Sequence, residues 1–158
     1  MFVVYAQSDR FKWSCANVLI GLGDPYSTAG ADAFEKAAKE KGINVCTKAK
    51  YVSGSSGMKA TGIKAAITQI IEKRCCLATV VFGKPKDLAS LFLEANEQRY
   101  AGEWIVGDPV ATSFDIVEKE LKKKGLDEKS IQSLLTGKSI GRLLAEVEQY
   151  FLEWFNKN

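Results

Sequence analysis

Histidine is missing from all 158 residues, which removes the commonest general base and the commonest metal ligand together. Cysteine is sparse and oddly spaced. Cys15 and Cys46 stand alone, and Cys75 and Cys76 are adjacent, so no C-x-x-C turn exists to fill two corners of a zinc tetrahedron. No apolar run approaches the roughly 20 residues of a membrane span, and no signal peptide is visible. The chain as it stands therefore reads as soluble, and a secreted or membrane parent would mean that it had been cut from it. Charge of one sign is also missing. A net charge of +3 is too small for a nucleic-acid footprint. The one basic run, Lys119 to Lys124, is broken by Glu120 and Leu121 and reads as a solvated helix face with cations near a helix C-terminus.

Several motifs begin and fail. Gly21-Leu22-Gly23 opens like a dinucleotide fingerprint, but Tyr26 occupies the third glycine position. Gly137-Lys138-Ser139 has the tail of a phosphate loop, yet Gln132 stands where its first glycine belongs, and a helical pattern precedes it. No serine has a plausible base. The expectation is a protein without metal, cofactor or catalytic residues.

What is present is ordinary for a globular domain: 46% hydrophobic and 26% charged residues, in a length that fits one domain with a core of its own. Ala16 to Ile20 is a short apolar run closed by Gly21, Gly23 and Pro25, as a buried strand would be. From Tyr26 to Lys41, Ala33, Phe34, Ala37 and Ala38 form a helical stripe, and Gly42 is a natural stop. Ile43 to Ala49 alternates, which predicts a strand with Ile43, Val45 and Thr47 on one face. Ser53 to Gly57 is a loop. Ile63, Ala66, Ile67, Ile70 and Ile71 make a second helix, Leu77 to Phe82 a strand covered on both faces, Leu88 to Ala95 a third helix and Trp104 to Val106 a fourth strand. This order predicts a three-layer α/β/α fold with a parallel, Rossmann-like sheet and right-handed crossovers.

After Asp108 the alternation stops. Ile116, Val117 and Leu121 suggest one helix, Ile131, Leu134 and Leu135 a second, and Leu143 to Phe155 a third whose aromatic stripe is core or a docking face. The division expected is an α/β lobe over residues 1–112 and a helical completion of the same lobe over 113–158.

Ligands of open parallel sheets bind beyond the carboxyl ends of the strands, near the point where strand order reverses. Two segments fall there. The turn from Gly21 to Ser27 offers helix-terminal amides to an anionic group and Tyr26 as an aromatic wall with a hydroxyl, although Asp24 or Ser27 could simply cap the helix. Gly107-Asp108-Pro109 closes the fourth strand, where Asp108 could pair with a ligand ammonium or merely shape a turn.

The span from Trp13 to Asp108 resembles the second lobe of the receptor-type periplasmic-binding-protein superfamily. That group includes bacterial branched-chain amino-acid binding proteins, natriuretic-peptide receptors and class C receptors. The resemblance lies in the order of Phe11-Lys12-Trp13, Asp24-Pro25-Tyr26-Ser27-Thr28-Ala29-Gly30, Ala33-Phe34, Gly42-Ile43-Asn44-Val45-Cys46, Val80-Val81-Phe82-Gly83, Leu91 to Ala95, Gly102 and Trp104 to Asp108. It implies an extracellular or periplasmic lobe that senses a small molecule, such as an amino acid, by closing on a first lobe absent from this chain. Tyr26 would contact the ligand and Asp108 would bind its amino group, with Asp24 and Ser27 beside them. Pro25 and Ser27 depart from the family's turn, which prefers glycine after the tyrosine. No nucleic acid is expected, and a homodimer is left open. Cys15 and Cys75 both fall at the amino ends of strands expected to be neighbours, which suggests a disulfide between them, against four reduced thiols. Competing readings are a free-standing cytoplasmic flavodoxin-like regulatory or cofactor domain with a phosphate in the anion site, and an α/β enzyme working through carboxylates.

Overall fold

The computed structural model describes residues 14–107 and 114–136. Within them the order is β1 (Cys15–Leu22), α1 (Pro25–Glu40), β2 (Asn44–Val52), α2 (Ile63–Lys73), β3 (Ala78–Phe82), α3 (Pro85–Glu97), β4 (Glu103–Val106), α4 (Phe114–Lys123) and α5 (Glu128–Thr136). Asp108, the Gly137-Lys138-Ser139 string and the Leu143 to Phe155 stripe lie outside the described residues.

The strands form one parallel sheet in the order β2-β1-β3-β4. Each is built from the apolar runs of the sequence, and every residue of β3 is buried because helices cover both faces. On one face, α1 lays Ala31, Phe34 and Ala38 against Val18, Ile20, Val80 and Phe82. On the other, α2, α3, α4 and α5 pack Ile67, Ile70, Leu91, Phe92, Leu121 and Leu134 around Leu19, Val81 and Trp104. Each fully buried Leu or Ile of these stripes stabilises the fold by about 1.5–3 kcal/mol relative to exposure. This is the three-layer α/β/α arrangement, with α4 and α5 joined to the same core. The indole of Trp104 anchors it, meeting Phe92 and Tyr100 edge-on at centroid distances of 5.2 and 5.7 Å.

Two details depart from the sequence reading. Leu77 is 69% exposed and precedes β3, so the strand starts one residue later than its apolar run. Ile43, Val45 and Thr47 do not share a face. The register of β1 against β2 steps from Ala16↔Val45 to Asn17↔Thr47, so Cys46 is an extra residue in β2. Such a bulge inverts the side-chain phase beyond it. Ile43 and Val45 accordingly join the α1 side, whereas Ala49 and Tyr51 join the α2–α5 side.

The cysteines are paired, but not as expected. Cys15 bonds to Cys76, and Cys46 to Cys75, each with Cα atoms 5.9 Å apart. Cys15 does lie beside Cys75, its Sγ 3.8 Å from that residue's carbonyl oxygen. The bulge explains the outcome: with Cys46 also at the amino end of the sheet, the adjacent pair Cys75-Cys76 can reach both β1 and β2. The sequence reading lacked this second partner.

Candidate functional site

Strand order fixes where a ligand crevice opens. The connection leaving β1 runs through α1 on one face of the sheet, and the connection leaving β3 runs through α3 on the other. The neighbouring carboxyl ends of β1 and β3 are therefore the switch point of this sheet, the place where open α/β sheets take their ligands.

The turn after β1 is held by its own polar groups. Asp24 caps α1, accepting the Tyr26 amide at 3.1 Å, and Pro25 occupies the first helical position. The Ser27 hydroxyl accepts the Gly21 amide at 2.7 Å. Both side chains are buried, so both expected ligand contacts are engaged within the protein and serve to set the turn. Tyr26 is what the turn displays. Its ring is 39% exposed and stands edge-on to Phe82 at 6.1 Å. Its hydroxyl lies over Gly107, in the space that a side chain there would fill. The structure thus brings Tyr26 to the end of β4, one residue before Asp108, which lies outside the described residues.

On the opposite face a second tyrosine reaches the same edge. Tyr51, on β2, is 1% exposed and crosses towards β3. A methyl group at Gly21 would lie 2.9 Å from its hydroxyl, and one at Gly83 would lie 2.7 Å from it. Both positions must be glycine for the ring to pass. The hydroxyl has no hydrogen-bond partner among the described residues. Burial, and then the nearby charges of Asp87 and Asp24, push its pKa well above the ordinary tyrosine value.

Asp87 belongs to the first turn of α3 and is buried. Its carboxylate accepts the Ser53 hydroxyl at 2.6 Å and the Gly54 amide at 3.2 Å, tying the loop after β2 to α3. Lys84 donates to the Gly54 carbonyl at 2.9 Å from the same helix end. Neither Tyr51 nor Asp87 was singled out in the sequence. Continuing the Ala49 alternation by two residues would have found Tyr51, and an acid in the first turn behind Pro85 marked Asp87.

A concavity of about 770 Å³ lies at the other end of the sheet among Cys15, Cys75, Arg74 and Arg99. It faces the amino ends of the strands, away from the switch point, and Arg74 there is the C-cap of α2. Among the described residues no group of three or more His, Cys, Asp or Glu could hold a metal. No helix among them is long and apolar enough to cross a membrane.

The family model described as the receptor family ligand binding region matches residues 3–158. No curated protein matches the chain.

Proposed function

The chain belongs to the receptor family ligand binding region, and from that premise we propose that it is the second lobe of a two-lobed module that closes on a small molecule, an amino acid in the first instance. The observation that carries this reading is the placement of Tyr26 over Gly107, which puts a part-exposed tyrosine and the end of β4 together at the switch point. Tyr26 supplies a ring face and a hydrogen bond, and Asp108 a carboxylate for the ligand ammonium. Asp24 and Ser27 hold the turn that presents Tyr26.

Such a lobe is half a site. A ligand on this rim keeps one side in water until the first lobe covers it, and that covering is the signal. The role requires no chemistry on the ligand. A receptor lobe of this kind works outside the cell or in the periplasm. The family match lends no support to a free-standing flavodoxin-like domain.

Amide-resolved NMR titration with amino acids at millimolar concentration tests the proposal. Saturable shifts at Gly21, Tyr26 and Gly107, lost in Tyr26→Ala and Asp108→Ala, are expected. Shifts produced by a nucleotide or flavin, or none at the crevice with any amino acid, would overturn it.

A further inference from the structure

A second concavity lies away from Tyr26, on the side of the sheet covered by α3 and α4. It encloses about 630 Å³ between the loop following β2, the start of α3 and one side of α4. The loop that walls it is ordered by its own contacts. Val52 and Thr61 exchange backbone hydrogen bonds at 2.9 and 3.0 Å, Ser55 bridges to Met58, and Asp87 with Lys84 pin Gly54 from below.

Four lysines line this cavity: Lys59 from the loop, Lys84 and Lys86 from the start of α3, and Lys124 after α4. Only Lys84 is engaged, through the Gly54 carbonyl. Among the described residues Lys59, Lys86 and Lys124 have no acidic partner within ion-pair distance. Two carboxylates also line it, and both are in use. Asp87 holds Ser53 and Gly54, and Glu120 accepts from Lys123 at 2.8 Å. The hydrogen bond from Lys123, and then the charges of Lys123, Lys86 and Lys124, favour the charged form of Glu120, and all of Lys59, Lys84, Lys86 and Lys124 border the one cavity. Like charges brought together repel, and a polyvalent anion relieves that repulsion. The Ser55 and Ser56 hydroxyls on the same wall add donors suited to its oxygens.

We infer that this cavity is a second binding site, separate from the crevice, for a multiply charged oxyanion carried as a phosphate or sulfate group. Lysine suits either as a point charge. The inference does not rest on the identity of the crevice ligand.

The experiment is an NMR titration of the chain with tripolyphosphate, inorganic phosphate and inorganic sulfate, at ionic strength held constant with chloride. Saturable shifts confined to residues 54–60, 84–90 and 116–124 are expected, with Gly21 and Gly107 unmoved. Tripolyphosphate should bind at least about tenfold more tightly than either single anion. Comparing phosphate with sulfate at one charge state tells the two sources apart. The combined Lys59→Gln, Lys86→Gln and Lys124→Gln variant changes only exposed side chains and leaves Lys84 in place; it should weaken tripolyphosphate about tenfold or more. Shifts spread equally over Lys36, Lys39 and Lys73, or an affinity unchanged in the triple variant, would overturn the site.

Discussion

The Tyr26 hydroxyl occupies the space that a side chain at Gly107 would need. One ring therefore joins the first turn of α1 to the end of β4 across the top of β3, and any residue but glycine at 107 must displace it. Gly107→Ala should destabilise the chain by about 1–3 kcal/mol, the usual cost of overpacking. Adding Tyr26→Ala should recover most of that loss, because the methyl then enters vacated space. A double-mutant cycle from urea midpoints checks it; additive single effects would refute the contact.

The Tyr51 hydroxyl gives a second cycle. Gly83→Ala pushes a methyl onto it and should cost about 1–3 kcal/mol. Tyr51→Phe alone removes a buried hydroxyl that has no partner among the described residues, so it should be close to neutral or slightly stabilising. A large loss in Tyr51→Phe would show that the hydroxyl is satisfied in solution.

The same residue makes stability fall at high pH. Tyrosines of the unfolded chain ionise near about pH 10. In the folded chain, burial holds the phenols of Tyr51 and Tyr100 protonated to higher pH. Above about pH 10 the unfolded state therefore binds fewer protons than the folded one, so stability is full below that pH and declines as pH rises through the folded values. Denaturant midpoints at about pH 8, about pH 10 and about pH 11 should trace the decline, and Tyr51→Phe should flatten it.

Asp87 is the tie between the loop after β2 and α3. Asp87→Ala removes the acceptor of both Ser53 and Gly54, which should cost about 1–3 kcal/mol. Amide exchange at Gly54 should quicken while that at Val80 in β3 stays slow. Equal quickening at both would mean that the whole fold, not the loop, had loosened.

Peptide mapping without reduction should return the pairs Cys15–Cys76 and Cys46–Cys75. Replacing both Cys46 and Cys75 by serine should lower stability by about 2–4 kcal/mol. Recovery of a Cys15–Cys75 peptide from oxidatively refolded protein would overturn the assignment.

Much of the fold was legible because burial writes itself into pattern. Ala16 to Ile20 and Val80 to Phe82 are apolar runs between turn residues, and Ile63, Ala66, Ile67 and Ile70 recur at helical spacing; each became the element expected. What escaped was everything set by a single inserted residue or by a long-range approach. The extra residue at Cys46 reverses the faces of β2, and no periodicity within Ile43 to Ala49 announces it. At the crevice, the sequence could place Tyr26 near the strand ends, but not show that Asp24 and Ser27 turn inward. Tyr51 was hidden because its meaning depends on Gly21 and Gly83, which only the sheet brings beside it.

Both disulfides and the bulge stand at the amino ends of the strands, whereas the crevice and the lysine-lined cavity open towards the other pole. Covalent constraint and the two proposed recognition surfaces therefore fall at different ends of one sheet. Loops at the recognition end can be lengthened, exchanged or recoded without disturbing a covalent bond. A lineage, or an engineer, can therefore recode that end of the sheet while inheriting its frame unchanged.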